Sequence, residues 1–297
     1  MKKNMQISLL RPQQWYKNLL VFVPIIFSLN LLDIELFFLS LQGFILLCLS
    51  SSALYIFNDL IDYEKDKIHP VKKYRPIVSG KISKQTAFLI AIVFLAISLI
   101  CSIILNHIFF LMNLFLIIST IIYTIRGKNI VVLDVSLISI NYVFRAVAGG
   151  YLLTLDISNW LIVGIFFFAL LLSFSKRFNE LQFLKTNSEK HRKSLKRYSI
   201  QSLRWSIYFS SAFVIITYSA YAISGSESIE DWRLVLTIPL AILIIWIYSQ
   251  RILSGNFSSK EFHQMLVNSK SLLFLISSFV ISIVILIYFI PTDFFKL

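Results

Sequence analysis

The chain has 297 residues, of which 57% are hydrophobic, and this composition excludes an ordinary soluble domain. Its formal net charge is +13 at pH 7, with 28 Lys and Arg against 15 Asp and Glu. Long apolar runs recur along the sequence, and each one predicts a membrane span. We therefore expect an all-α integral membrane protein. Its basic face orients the protein, attracts anionic lipid or holds an anionic substrate.

We expect about nine spans, and the first is short and contains Pro24. The loops on one side of this arrangement hold 25 of the 28 Lys and Arg, which predicts a cytoplasmic N-terminus and a C-terminus on the opposite side. We expect residues 1–297 to form a single membrane-embedded domain, with substrate-binding cytoplasmic loops at about 58–85 and 176–204 that meet across one substrate. The predicted spans are about 19–34, 36–57, 86–105, 108–125, 130–153, 158–176, 204–223, 233–252 and 270–290.

Three aspartates follow the second predicted span, and they are Asp59, Asp62 and Asp66. If the helix continues through them, their i, i+3 and i+7 spacing places them on one face. Clustered carboxylates near lipid repel one another unless a cation neutralises them. Mg²⁺ completed by substrate phosphates is the usual solution, with Mn²⁺ as an alternative. We therefore predict that all three bind metal and are catalytic, and that Asn58 orients them. The alternative is a solvated helix end.

Basic residues come next in the same loop, at Lys72, Lys73 and Arg75. Pro76 breaks a helix and Gly80 permits a turn, so we expect the basic residues to fold back towards the aspartates. That arrangement predicts that they bind substrate phosphate. The alternative is that they only orient the protein in the membrane.

Further candidate substrate ligands lie at helix ends and at one deep position. Arg145 lies about 20 Å into the fifth span, where a charge costs at least a few kcal/mol unless it is paired or hydrated. We expect Arg145 to face a central cavity between the spans and to bind substrate there. The alternative is that it pairs only with an internal carboxylate or a backbone carbonyl. Lys17 binds substrate phosphate or is only a lysine at the membrane interface. Asp134 and Lys128 bind substrate or form a structural ion pair with each other. The candidates are Lys17, Tyr123, Lys128, Asp134, Asn141, Arg145, Lys176, Arg177 and Glu180.

The pattern Asn-Asp-x-x-Asp-x-x-x-Asp at residues 58–66 resembles the first signature of the UbiA superfamily of intramembrane prenyltransferases. This resemblance implies a ring of nine helices around a cavity that is open to lipid. Four further strings, at residues 11–18, 69–77, 144–150 and 175–181, resemble the decaprenyl-phosphate phosphoribosyltransferase branch.

The narrower resemblance implies a Mg²⁺-dependent membrane glycosyltransferase. It would move 5-phosphoribose from phosphoribosyl diphosphate to a polyprenyl phosphate, and so make a lipid-linked pentose precursor for cell-envelope glycan. The second loop has no paired aspartates, unlike aromatic prenyltransferases, which favours a second anionic partner. The alternative is a prenyltransferase that moves an isoprenyl group from its diphosphate to an aromatic or other small acceptor. A carrier for polyprenyl-linked anions is a third reading.

We expect the protein to interact with polyprenyl phosphate, phosphoribosyl diphosphate and the bilayer, and not with nucleic acid. The sequence leaves open whether it forms a homo-oligomer. The implied location is the bacterial plasma membrane.

Overall fold

A computed structural model of the protein describes residues 5–68, 72–184, 197–224, 232–254 and 269–291. Every regular element within these ranges is helical, which confirms the all-α prediction. The α-helices are α1 (Met5–Leu10), α2 (Val23–Phe27), α3 (Ile34–Ile61), α4 (Tyr63–Lys67), α5 (Lys84–Leu105), α6 (His107–Ile125), α7 (Leu133–Leu153), α8 (Asn159–Leu184), α9 (Ile200–Ser224), α10 (Ile238–Leu253) and α11 (Lys270–Tyr288). Short 3₁₀ helices cover Pro12–Phe22, Lys72–Tyr74, Gly127–Asn129 and Trp232–Thr237.

Eight helical segments in the described ranges are long and apolar enough to cross a membrane, and they match the second to ninth predicted spans. Parts of both predicted substrate-binding loops, at residues 69–71 and 185–196, lie outside the described residues.

The first predicted span, at about 19–34, is not one continuous α-helix. The 3₁₀ helix Pro12–Phe22 runs directly into α2, and Leu29 then adopts a positive φ of 64°. Pro24 contributes to this break because it has no amide hydrogen for an α-helical ladder. At about 2.0 Å per 3₁₀ residue and 1.5 Å per α residue, residues 12–27 measure about 30 Å, the thickness of a bilayer core. The count of nine spans stays a prediction.

The chain divides into two compact units. One unit comprises Met1–Thr124 with Phe144–Leu155, and the other comprises Ile125–Val143 with Asp156–Leu297. The single domain expected from the sequence stays a prediction.

In the first unit, α3 packs against α5 and the N-terminal 3₁₀ helix. Gly149 allows the backbone of α7 to approach the N-terminal 3₁₀ helix closely, since a Cβ atom there would lie 2.2 Å from the carbonyl oxygen of Val21. Away from that contact, Asn113 Nδ2 donates to Ser98 Oγ at 3.0 Å, and the Ser98 and Ser50 hydroxyls are 2.7 Å apart. Hydrogen bonds between small polar side chains therefore join α3, α5 and α6 within a solvent-excluded core.

In the second unit, α9 packs against α8 and α10, and α11 packs against α10. Leu171, Phe178, Leu203 and Leu272 are fully buried in the core of this unit. Large apolar side chains on other helix faces, in both units, are exposed instead. Such faces suit contact with lipid tails, because a soluble monomer rarely exposes apolar patches of this extent. Examples are Ile100, Ile104, Phe209, Trp246 and Phe274.

Candidate active site

Two buried carboxylates meet basic side chains at the C-terminal end of α3. Asp59 Oδ1 accepts hydrogen bonds from Arg11 Nη2 at 2.5 Å and from Arg75 Nη1 at 2.9 Å. Arg75 Nη1 also donates to Asp66 Oδ2, and Lys72 Nζ lies 3.8 Å from Asp66 Oδ1. We call these five residues the carboxylate–arginine cluster. It contains two acids and three bases, so its formal charge is +1.

The helix end and the loop after it bring the cluster together. α3 ends at Ile61 and α4 begins at Tyr63, but the Asp62 N–H donates to the Asn58 carbonyl at 3.0 Å. The Asp66 N–H donates in turn to the Asp62 carbonyl at 2.8 Å, so the helical hydrogen bonds continue across the junction. Asp66 therefore follows Asp59 by about two helical turns.

The loop then folds back as the sequence predicts. The Lys81 N–H donates to the Pro76 carbonyl at 3.1 Å, and Gly80 adopts a φ of +73°, a conformation that glycine reaches without strain. Ile77 is buried beneath this turn, which fixes Lys72 and Arg75 beside the aspartates. The predicted return of these two basic residues to the acids is confirmed.

Acids and bases in the cluster differ in their access to solvent. The Asp59 and Asp66 side chains are 4% and 3% exposed, whereas those of Lys72 and Arg75 are 43% and 22% exposed. Burial raises the pKa of the Asp66 carboxyl above its ordinary value, and the nearby positive charges of Arg75 and Lys72 oppose that rise. The ionised state of Asp66 therefore depends on its basic neighbours.

The carboxylate oxygens of the cluster are the kind of ligand that a hard divalent cation prefers. Carboxylate oxygens of Asp59 and Asp66 converge on one point, the Arg75 Nη1 atom, and a cation near that point would contact both acids. Within the described parts of the chain, no three Asp, Glu, His or Cys side chains form a ready metal-binding group. Asp62 is only half-buried at the helix junction. A metal site made by all three aspartates stays a prediction.

The other candidates near this end of the unit are placed differently. Asn58 is half-buried and contributes its backbone carbonyl to the helix junction. Lys73 is exposed, and its Nζ lies 5.2 Å from the centre of the Tyr74 ring. Lys17 is half-buried, with its Nζ 5.8 Å from the Tyr16 ring centre. The roles predicted for these residues stay predictions.

Arg145 lies on α7 in a second polar group of the first unit. Its side chain is buried, and its Nε donates to Asn18 Oδ1 at 2.7 Å. The same Asn18 oxygen accepts from Ser51 Oγ at 3.2 Å, and Asn18 Nδ2 contacts Cys48 Sγ at 3.2 Å. One partner of this deep arginine is therefore a side-chain amide. The expectation that Arg145 faces the cavity and binds substrate stays a prediction.

The second unit holds a buried ion-pair network. Arg177 Nε donates to Asp134 Oδ2 at 2.9 Å, and Arg177 Nη1 donates to Glu180 Oε2 at 2.5 Å. The Tyr198 hydroxyl donates to Asp134 Oδ1 at 2.8 Å and accepts from the Val132 N–H at 3.0 Å. Arg177 and Asp134 are almost fully buried. Burial is the first cause that raises the pKa of Tyr198, so this hydroxyl keeps its proton.

The remaining candidates are spread over three helices, α6, α7 and α8, and the turn after α6. Lys176 is exposed beside buried Arg177, so the two adjacent cations point into different surroundings. Asn141 is buried on α7, and Tyr123 and Lys128 are half-buried near the turn after α6.

Sequence reasoning missed Arg11, Asn18 and Tyr198 as members of these groups. Arg11 and Asn18 both fall within residues 11–18, so that string was their available signal. Tyr198 follows a basic stretch and had no distinguishing signal. Arg11 lies 48 residues before Asp59 in the sequence, and only the folded N-terminal segment reveals the contact.

Alignments with similar proteins extend over most of the chain. The decaprenyl-phosphate phosphoribosyltransferase of Corynebacterium glutamicum is 27% identical over 301 residues, which cover 96% of this chain and 87% of that protein. Its namesake from Mycolicibacterium smegmatis is 29% identical over 253 residues, which cover 80% of this chain and 79% of that protein. A structure of a UbiA homolog from Archaeoglobus fulgidus bound to DMAPP and Mg²⁺ has a TM-score of 0.72 at 22% identity, covering 96% of this chain and 99% of that chain.

The likeness to the archaeal structure concerns the fold. The family assignment has a separate basis, because the model of the UbiA prenyltransferase family matches residues 21–270. That match includes Asp59, Asp66 and Arg75 of the carboxylate–arginine cluster, and it includes all eight long apolar segments in whole or in part. The chain therefore belongs to the UbiA prenyltransferase family and is an integral membrane transferase.

Proposed function

We propose that the protein transfers 5-phosphoribose from phosphoribosyl diphosphate to a polyprenyl phosphate, with Mg²⁺ as its cofactor and Mn²⁺ as an alternative. The observation that carries this proposal is the carboxylate–arginine cluster, in which two buried acids lie among three bases. Such a site suits a metal-bound diphosphate together with additional negative charge. The names of the two curated bacterial relatives support the same substrate pair.

In this proposal the donor diphosphate binds at the cluster. Lys72 and Arg75 are accessible to it, and the buried carboxylates of Asp59 and Asp66 beside them would hold the Mg²⁺ ion. Asp62 and Asn58 at the helix junction complete the proposed metal-binding end of α3. Bound Mg²⁺ would neutralise the charge that develops on the leaving diphosphate.

During the reaction, the bond between ribose C1 and the diphosphate oxygen breaks, and its electron pair leaves with the diphosphate. A phosphate oxygen of the polyprenyl phosphate forms the new bond to C1. That oxygen is already an anion, so the step needs no general base. Arg75 and Lys72 contribute by stabilising charge that is greater in the transition state than in the bound donor.

We assign the acceptor phosphate to Arg145, whose Nε is held by Asn18. A guanidinium donates several hydrogen bonds in a fixed plane, and a phosphate is a strong, charged acceptor for them. Arg177 suits this role less well, because two carboxylates already bind its guanidinium.

Purified protein with labelled phosphoribosyl diphosphate tests the reaction. We expect diphosphate release only when polyprenyl phosphate is present, together with a labelled lipid product. Robust transfer from an isoprenyl diphosphate without turnover of phosphoribosyl diphosphate would instead establish the prenyltransferase alternative.

The acceptor assignment has its own test. Arg145→Gln should raise the KM for the polyprenyl phosphate more than the KM for the donor, because this proposal assigns the lost charge to the acceptor phosphate. Arg126→Gln, which removes an exposed charge from the turn after α6, is the matched control. An equal rise in both KM values would contradict the assignment.

We further propose that the cluster faces the cytoplasm of a bacterial cell, as the distribution of Lys and Arg indicates. The lipid-linked pentose would then be formed on the cytoplasmic side of the plasma membrane, as a precursor for cell-envelope glycan.

A further inference from the structure

We propose that Arg11 couples metal binding to diphosphate binding, so that the carboxylate–arginine cluster takes up a divalent cation strongly only together with a diphosphate. This inference rests on the metal site of the proposed function and assigns a role to a residue outside the predicted site. Arg11 acts as a competitor for the metal until a phosphate group offers its guanidinium a better partner.

Competition follows from the geometry at Asp59. Arg11 Nη2 and Arg75 Nη1 both approach the same oxygen, Asp59 Oδ1, at 2.5 and 2.9 Å. A magnesium ion binds a carboxylate oxygen at about 2.0–2.1 Å and requires near-octahedral surroundings. An ion that bridges Asp59 Oδ1 and Asp66 Oδ2 therefore has to share the Asp59 oxygen with the guanidinium groups or displace one of them.

Charge strengthens the competition. The cluster carries a formal charge of +1, since Arg11, Arg75 and Lys72 outnumber Asp59 and Asp66. A divalent cation alone raises that charge to +3, or to +2 when the neighbouring Asp62 is counted, in a largely buried site where repulsion is poorly screened. A diphosphate that arrives with the metal removes the excess positive charge and accepts hydrogen bonds from the arginines.

The fold places Arg11 for this role at some conformational cost. Arg11 has a φ of 50°, a left-handed conformation that is uncommon for residues other than glycine. Ser52 Oγ donates to the preceding Leu10 carbonyl at 2.9 Å, and the Arg11 guanidinium lies 5.2 Å from the Tyr55 ring centre. The Ser52 hydrogen bond thus holds the backbone before Arg11, and the guanidinium itself contacts Asp59 and the Tyr55 ring. The Arg11 side chain keeps 17% exposure, through which a phosphate can reach it.

Equilibrium binding of Mn²⁺ to the full-length protein in detergent tests the coupling. The free ion is measured by its electron paramagnetic resonance signal, with and without inorganic diphosphate, after correction for the complex that forms in solution. Allosteric couplings usually span about 5–150-fold, and we expect diphosphate to tighten Mn²⁺ binding by about tenfold or more. An affinity that does not change with diphosphate overturns the proposal.

Variants locate the effect in Arg11. Arg11→Gln should bind Mn²⁺ alone about tenfold more tightly than the wild type and gain less from diphosphate, because one competing charge is gone. Arg11→Lys keeps the charge and should keep most of the coupling. Lys67→Gln is the matched control, since Lys67 pairs with exposed Glu64 on the adjacent surface. Arg11→Gln that binds Mn²⁺ no more tightly than the wild type overturns the proposal.

Asp59→Asn separates this inference from the proposed function. If Asp59→Asn leaves Mn²⁺ binding unchanged, the metal site itself fails, and the coupling fails with it. If Asp59→Asn abolishes binding while diphosphate has no effect in the wild type, only the coupling fails.

Discussion

At the scale of single residues, Arg75 has the most demanding position in the cluster. One of its nitrogens donates to both Asp59 and Asp66, so a single guanidinium brings two buried carboxylates together. Asp66 is seven residues beyond Asp59 and, from the sequence, is the aspartate farthest into the loop. Asp66 is nevertheless as buried as Asp59 and contacts the same nitrogen of Arg75.

We therefore expect Asp59→Asn and Asp66→Asn to lower activity by similar factors, each about a hundredfold or more. Each change removes one of two converging carboxylate charges but preserves the side-chain size. Steady-state rates across a Mg²⁺ titration measure the effect, and thermal unfolding in detergent verifies that both variants fold. Glu64→Gln, which alters an exposed acid on α4, is the control. Near-normal activity of Asp66→Asn would show that Asp66 only supports Arg75.

The second residue-scale prediction concerns the network of Asp134 and Arg177. Arg177→Gln leaves a fully buried carboxylate without its cation, which costs about 3–5 kcal/mol when a buried pair is broken. We expect a large fall in the midpoint of thermal unfolding. Asp134→Asn combined with Arg177→Gln should recover part of the loss, because the uncompensated charge is gone. No recovery in the double variant would mean that Arg177 acts mainly through Glu180.

At the scale of elements, α7 and the N-terminal 3₁₀ helix depend on one another. Gly149 allows their backbones to touch, and Arg145 lies one turn earlier on the same face of α7, where it donates to Asn18. The close packing therefore also sets the position of the arginine that we assign to the acceptor.

Gly149→Ala should disrupt this contact, since the added Cβ would lie 2.2 Å from a backbone oxygen that cannot rotate away. We expect a loss of about 1–3 kcal/mol in stability and a weaker use of the lipid acceptor. Thermal unfolding and acceptor KM are the measurements. Gly43→Ala is the matched control, because its Cβ would meet the tip of the Leu152 side chain, which can rotate about its own bonds as a backbone oxygen cannot. Equal losses for both variants would contradict the special role of Gly149.

At the scale of the whole molecule, orientation in the membrane is the property to test. α3 has 28 residues, a length of about 42 Å, so its two ends can reach opposite membrane faces. Leu32 precedes the helix and Tyr74 follows it, and both are well exposed.

With Cys48 and Cys101 replaced by alanine, single cysteines at Leu32 and Tyr74 should react with a membrane-impermeant maleimide from opposite sides. We expect the Tyr74→Cys protein to be labelled only in inside-out vesicles, because the basic loop is cytoplasmic in our proposal. The Leu32→Cys protein should be labelled only in right-side-out vesicles. Labelling of both from one face would overturn the predicted topology.

The sequence predicts different features of this molecule with unequal success, for physical reasons. Apolar runs disclose eight long segments because lipid requires continuous hydrophobicity, and Pro76 and Gly80 disclose the returning loop because they restrict the backbone locally. Contacts between distant positions carry no such local signal. The pairing of Arg11 with Asp59 and that of Tyr198 with Asp134 depend on how separate helices pack.

The 3₁₀ winding of Pro12–Phe22 also has a consequence for sequence variation. A 3₁₀ helix completes a turn every three residues, so Trp15, Asn18 and Val21 align along one edge. These residues contact Ser52, Arg145 and Gly149 respectively. Inserting or deleting one residue between Trp15 and Asn18 would rotate Asn18 and Val21 by about 120° relative to Trp15. The contacts of Asn18 and Val21 could then no longer form together with that of Trp15. Homologous chains should therefore vary freely in residue type on the outer edge of this segment, yet keep its length constant.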